Sequence, residues 1–568
     1  MVIHPAGADS SAVRYEEVRR QRIVPLNGRG VARYRTITSS YRRSMDTVEV
    51  VRAEIRHWRP GRGSEQATVT DRPHTGLADA GRLEASLRQQ VVSFGGIERL
   101  DTLVLHTRRL IRRLPLADAY AYTFFTGGRD SVASWRFSVT RPAGTQLLTE
   151  CHGLGRPSTQ GQGNWETLVW SGGPTAPVPP LPMTPAVRQR VDRVVVATSA
   201  PMEVSRLLWP AFAEALEDSG AARTAASVGS TPEQMRRWVA TKVEYLGADW
   251  GLSPGYSPRP PQETMECRAG VCRDKAVLLA WLLRGAGMEA TIGLTSAAGQ
   301  TDGLVGARSF DHVVTLLRRE EGWGVLDPTY EGFGPWPYGL RGRRVLPLLP
   351  EGGDFCRFPA GGADTMLVTI RGRLQDDGLR GEVVCRAEGA PEEVLRAVCR
   401  AAPPPERSRV LSLLLGAEPD SSSLRCSGSD SIAERVLIEG SGLWSVSRLE
   451  DGGSSWTVLP GLFDIDRMAG HQMTYALVDG YLSDSVVPDP PITLVLSLAV
   501  RTDARPMRSD AAQSSDVYLR SIGADGDTVR LREAVDLSPP SGPGMPRDRL
   551  VEAAILCRKA GWRTVVSP

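Results

Sequence analysis

Lysine is nearly missing from this chain. Lys242, Lys275 and Lys559 are the only lysines among 68 basic residues; the rest are arginine. So few amines leave little scope for the chain to cross-link to itself. Surplus charge is missing too: 68 basic residues face 65 acidic ones, for a net charge of +3. A balance that close makes no broad field of one sign, so neither nucleic acid nor an anionic membrane is an expected partner. The eight cysteines run from Cys151 to Cys557 without a CxxC pair. Cys267 and Cys272 have no second pair or His-x-His beside them, so zinc is not expected. No acidic cluster has the density calcium needs. The chain is therefore read as needing no cofactor and no metal. No apolar run approaches a membrane span, and Met1 to Val13 lacks the apolar stretch of a signal peptide. The expectation is a soluble protein whose compartment is left open.

What is present points to several domains. The chain has 568 residues and 41% apolar content, which is globular and too long for one ordinary core. Short strands are expected at Arg22 to Pro25, Ala32 to Ser39, Thr47 to Ile55, Gln66 to Val69, Ser134 to Val139 and Thr167 to Trp170. Turn signals separate them, the pattern of a β-sandwich or barrel. Pro174 to Pro185 reads as a stiff crossing loop rather than a ligand for a proline-recognising module. Met202 to Leu216 has helical spacing. Thr231-Pro232-Glu233-Gln234 offers a Thr N-cap, a Pro in the first turn and a Gln that completes a capping box. Trp238, Val239, Val243 and Leu246 follow on one face. Pro335 to Leu349 is aromatic and proline-rich, an exit wrapping this region. The last third is again strand-like: Met366 to Ile370, Gly381 to Cys385, Val436 to Ile438, Leu443 to Val446, Ile492 to Val500 and Val517 to Arg520. Helices are expected there at Glu392 to Ala401 and Asp548 to Ala560.

The most informative stretch is Arg268-Ala269-Gly270-Val271-Cys272-Arg273-Asp274-Lys275-Ala276. A Gly-kinked loop delivers a cysteine to the start of an apolar helix, Ala276 to Leu283, with stop signals at Gly285 and Gly287. A helix apolar nearly all round is buried and makes a rigid mount. Its N-terminal end is positive, which favours a thiolate over a thiol. Strands are expected at Ala290 to Leu294, His312 to Leu317 and Gly322 to Leu326. Glu320-Glu321-Gly322 is a hairpin turn between the last two. That turn puts His312, at one strand start, beside Asp327, at the neighbour's end. Cysteine, base and orienting acid then meet. No other histidine lies between His152 and His471. Singly, each residue has a plainer reading: a buried thiol as a small hydrophobe, a satisfied strand-end histidine, an Asp-Pro turn. The ordered combination is what outweighs these. Ser296 to Ser309, rich in Gly, Ala and Ser, is either a lid beside the cleft or a long surface loop.

These residues resemble the transglutaminase-like superfamily, whose core is papain-like. Its bacterial pattern has Gly-x-Cys-x-Asp-Lys-Ala, Asp-His-Val and Leu-Asp-Pro-Thr. Here these are Gly270 to Ala276, Asp311 to Val313 and Leu326 to Thr329. The resemblance implies Cys272 as nucleophile, His312 as base and Asp327 as orienting acid. Tyr245 to Gly251 and the run to Pro261 look like the lead-in of one bacterial subgroup, and Met366 to Leu415 like the start of its β-rich extension. The implied fold is α+β, a papain-like core between two mainly-β, sandwich-like domains. Its boundaries are 1–225, 226–348 and 349–568. The implied partner is a protein or peptide substrate, or a polymer of the cell envelope, since such relatives are often exported. Val271 stands where many relatives have Asp, and Arg259 where many have His. The backbone N–H of Cys272 is one oxyanion donor, with Trp250 and Tyr256 as side-chain candidates.

The expected function is thiol-dependent acyl transfer on amide bonds, by hydrolysis or by cross-linking. The rival is a binding or scaffolding protein that keeps the core fold without activity and holds protein or glycan partners on its β-rich domains. A Cys267–Cys272 disulfide would silence the nucleophile, and the free thiol is the preferred reading.

Overall fold

The computed structural model describes residues 1–4, 13–73, 87–114, 119–178, 187–217, 220–246, 258–297, 299, 301–359, 365–375, 378–415 and 417–445. Beyond these it describes the strands 447–451, 454–458, 485–486, 493–501, 518–525, 528–536, 545–546 and 565–566. The expected helix Asp548 to Ala560 lies outside the described residues, as do Trp250 and Tyr256.

The N-terminal region is built on an eight-stranded sheet. Its backbone is Thr102–Ile111, paired along its length with Tyr15–Ile23 on one side and Asp46–Arg56 on the other. Two smaller sheets cover it. One brings Val92 and Phe94 against Ala53, Ile55, Leu103 and Leu105. The other brings Val194 and Val196 against Phe137, Val139, Leu168 and Trp170. Inward side chains from facing sheets make two separate clusters, each with the sandwich-like packing expected.

Local chemistry corrects several sequence expectations. Ala32 to Ser39 is not one strand. Gly28–Tyr34 is a helix because Asn27 caps it, its side chain accepting from Gly30 N, and the strand begins only at Thr36. Met202 to Leu216 is two helices, Pro201–Leu208 and Pro210–Leu216, since Pro210 lacks the N–H that would continue the first. Val243 and Leu246 lie past the end of the helix Pro232–Lys242. Val436 to Ile438 and Leu443 to Val446 merge into Leu437–Trp444. Gly440, between the two expected strands, has φ +149, and a Cβ there would lie 2.0 Å from Ser423 O. A glycine is needed for this close strand approach, so it marks continuity.

The central region is α on β. Its sheet runs Gly322–Leu326, His312–Arg319, Ala290–Thr295, Arg344–Pro347, Cys356–Arg357. Pro335 to Leu349 therefore does not merely wrap the core; Arg344–Pro347 is a strand of its sheet. The helix Cys272–Gly285 lies on that sheet, with every residue from Cys272 to Leu283 buried. Helices Ala221–Val228, Pro232–Lys242 and Pro261–Cys267 pack around it. The same cluster takes in Val204, Leu208 and Phe212 from the helices upstream. Each large apolar side chain buried here contributes about 1.5–3 kcal/mol, which fixes the helix as the mount of the region. Gly285 ends the helix where a Cβ would fall 2.4 Å from the backbone of Ala221.

In the last third, Thr365–Gln375, Gly378–Glu388, Leu437–Trp444 and Ser423–Ser427 join three later strands in a seven-stranded sheet. The helix Ala390–Ala401 packs on it. A disulfide between Cys399 and Cys426 fastens this helix to the edge strand. No local motif in the sequence announced that pair.

Candidate active site

Cys272 is the first residue of its helix and is 1% exposed. The loop before it is held by Asp274, whose carboxylate accepts from Val271 N at 3.2 Å and Arg259 N at 3.1 Å. One acidic side chain thus joins the loop, the lead-in and the helix start, where a negative charge also suits the helix dipole. Gly270 has to be small: a Cβ there would meet Asp274 Cβ at 2.9 Å. Cys267 and Cys272 are both free thiols, so the silencing disulfide is not formed.

His312 opens its strand, opposite Thr295. The hairpin pairs Thr315 with Leu326, so Asp327, just past the strand end, comes back beside His312. His312 Nε2 and Asp327 Oδ2 are 2.7 Å apart. Thr315 Oγ donates to Ala276 O at 2.8 Å and ties the histidine strand to the cysteine helix. Cys272 lies close enough to the His312 ring to help raise it. With Nε2 engaged by Asp327, Nδ1 is the nitrogen left for sulfur. The structure therefore brings together all three residues singled out in the sequence.

Burial by itself would push the His312 ring down. The charge and hydrogen bond of Asp327, with the contact from Cys272, outweigh burial and push it up to about 10. Burial would raise Asp327, but the His312 charge and the bonds from His312 and Thr329 hold it below the ordinary carboxylate range. Thr329 supplies two of these, its N at 2.8 Å and its hydroxyl at 2.7 Å from Asp327 Oδ1. Three donors on one buried carboxylate leave it no freedom to turn away.

Two buried cations support the site: Lys275, from the cysteine stretch, and Arg236, which had not stood out in the sequence. Lys275 is fully buried and donates to Ala240 O at 3.2 Å and Val243 O at 2.7 Å. It caps carbonyls at the C-terminal end of the helix Pro232–Lys242, where a cation is favoured. Burial pushes it down to about 8, against the pull of Glu331 and Asp327. Arg236 is also fully buried. It donates to the carbonyls of Asp327 at 3.4 Å and Tyr330 at 2.7 Å, and pairs with Glu233 at 2.8 Å. Arginine in a helix facing a glutamate one turn away reads in sequence as a solvated pair; only the loop at Asp327 to Tyr330 reveals its purpose. Arg236→Met keeps the volume but strands those carbonyls. Each unsatisfied buried group costs about 1–3 kcal/mol, so the variant should melt several degrees lower, as calorimetry would register.

Glu150, His152 and Asp302 place donor atoms within 4.8 Å of one another. Arg193 already pairs with Asp302 at 2.7 Å, and Leu304 N with Glu150 at 2.8 Å. That is an ion-pair network with its counter-charge in place.

A sequence model of the transglutaminase-like superfamily matches residues 218–328. The matched span includes Cys272, His312 and Asp327. No curated protein matches the chain. Among solved structures, one described as "a putative protease" from Parabacteroides distasonis ATCC 8503 is similar over 97% of this chain and 96% of its own. Its TM-score is 0.62 at 12% identity. Another, described as "a putative cysteine protease" from Cytophaga hutchinsonii, covers 52% of this chain and 78% of its own, with TM-score 0.13 and 13% identity. The first shares the fold across nearly the whole chain. Residues 218–328 are thus a transglutaminase-like segment, and the chain around them has a mixed α+β fold with β-rich flanks.

Proposed function

We propose that this chain is a thiol-dependent acyl-transfer enzyme acting on amide bonds of a protein or peptide, with Cys272, His312 and Asp327 as its triad. The observation that carries the reading is the buried 2.7 Å contact of His312 with Asp327, made by a ring that also meets the Cys272 thiol. His312 takes the proton from sulfur and holds it as imidazolium beside the Asp327 carboxylate. Sulfur attacks the amide carbonyl, and the oxyanion gathers at the first-turn N–H of Cys272, which has no acceptor within its own helix. The imidazolium gives its proton to the departing nitrogen as the C–N bond breaks, leaving a thioester. Water or an amine attacks the thioester, the C–S bond breaks and the thiol is restored. We read residues 226–348 as the catalytic unit, with the upstream helices sharing its core, and 1–225 and 349–568 as the β-rich flanks that select the substrate.

Brief alkylation with iodoacetamide near neutral pH, followed by peptide mapping, tests this. Exposure alone ranks Cys267 first, because it is exposed while Cys272 is 1% exposed. An activated thiol reverses that order. Cys272 is expected to be modified faster than Cys267, Cys151, Cys356 and Cys385. Modification of Cys267 with Cys272 left intact would replace the enzyme reading with the binding one.

A further inference from the structure

The segment from Asp327 to Tyr330 is one turn, with Tyr330 N donating to Asp327 O at 3.3 Å. Arg236 holds that turn from the core side by its two carbonyls. A second set of contacts comes from the helix Ala390–Ala401 of the C-terminal region. Glu393 accepts the hydrogen bond of the Tyr330 hydroxyl. Arg400 donates to Glu331 O at 3.4 Å and lies 3.9 Å from its carboxylate. Residues seven apart lie on one helix face two turns apart, so a single face of this helix touches consecutive residues after Asp327. The helix is itself immobilised. Arg396, 3% exposed, donates to the carbonyls of Gly428, Ser429, Ser431 and Glu434, and the Cys399–Cys426 disulfide adds a covalent tie.

We infer that Glu393 is a positioning residue: through the Tyr330 hydroxyl it lets the C-terminal region hold the Asp327 turn in register with His312. This rests on the triad reading above. The catalytic unit then depends on its C-terminal neighbour for the geometry of its acid. The groups facing Glu393 are Tyr330 and Arg341 from the core and Glu392 from its own helix; Arg396 also acts on Tyr330. Burial, with Glu392, pushes Glu393 up to about 7 against the pull of Tyr330 and Arg341. The docked helix therefore binds a proton that a solvated glutamate would release. By linkage it is the docking of the helix, through the burial of Glu393, that is fully favoured below the ordinary 4.5 and loses this contribution as pH rises through about 7.

The test uses the full chain with Glu393→Gln, Glu393→Ala and Tyr330→Phe. Two rates are read on either side of neutrality: hydrogen exchange at the amides of Thr329 and Tyr330, corrected for intrinsic rates, and alkylation of Cys272. Circular dichroism controls for folding. Glu393→Ala and Tyr330→Phe each remove one buried hydrogen bond and should accelerate exchange and slow alkylation by about five- to tenfold. Glu393→Gln keeps an acceptor without a charge, so on the acid side it should stay within about twofold of the parent. It should also lose the parent's increase in exchange on the alkaline side. Unchanged exchange in a folded Glu393→Ala overturns the contact. Faster exchange with unchanged alkylation overturns its service to the site. If Cys272 is inert in the parent, it is the triad reading that fails, and the exchange rates still decide the contact.

Discussion

His312→Ala is expected to slow acylation of Cys272 by roughly 100- to 10,000-fold, the range a positioned general base supplies. The ring is the group that joins the sulfur to the carboxylate: it contacts Asp327 at 2.7 Å and meets the Cys272 thiol. Without it the thiol keeps only the helix start. The substitution also leaves Asp327, 0% exposed, with Thr329 as its remaining side-chain donor. Stranding a buried charge typically costs about 3–5 kcal/mol, so a loss of rate could come from a loss of fold. His312→Gln separates the two. Its amide can still donate to Asp327, yet it cannot take a proton at neutral pH. It should lose rate as severely as His312→Ala while melting closer to the parent. The measurement is the rate of Cys272 labelling, with circular dichroism as control. If folded His312→Gln labels at the parental rate, the base assignment is wrong.

The site was legible because its three residues stand at the ends of elements whose patterns are strong. The apolar run after Ala276 could only be buried, and the turn at Glu320 to Gly322 fixed which strand ends meet. The capping box at Thr231 formed as its spacing required, with Gln234 N donating to the threonine hydroxyl at 3.2 Å. What escaped notice were interactions that side-chain identity does not announce. Arg236 looks like surface charge, and the partners of Lys275 stay hidden, until the carbonyls they satisfy fold back over them. The Ala32 to Ser39 region carries its β-branched residues on its second half alone, so the Asn27 cap decides the first half. Gly440 falls between the two expected strands and is a point of close approach in the sheet. Arg236, Lys275 and Gly440 each depend on a partner outside their own segment, and single-segment patterns hold no information about such partners.

Asp327→Asn should keep the fold and lose rate by roughly 100-fold or more. The reason lies in the direction of one hydrogen bond. Asparagine can still accept from Thr329 N and its hydroxyl through Oδ1. Its Nδ2 then faces His312 Nε2 and donates to it, so Nε2 must be unprotonated and the ring proton moves to Nδ1. That is the nitrogen facing sulfur, and an N–H there cannot take the thiol's proton. The counter-charge is lost as well. In the parent, Asp327 outweighs burial and raises His312 to about 10; in the variant that pull is gone, only Cys272 opposes burial, and the ring falls well below its value in the parent. A less basic ring holds the sulfur's proton less well, so labelling of Cys272 should require a higher pH in the variant than in the parent. Stability follows the same pair. The His312 contribution is complete below 6.5 and is lost as pH rises through about 10. The Asp327 contribution is complete above 3.8 and is lost as pH falls past its lowered value. The gap in melting temperature between parent and Asp327→Asn should thus be widest between 3.8 and 6.5 and narrow on the alkaline side. A gap that stays constant from acid to alkali would mean that the two side chains touch without sharing a charge.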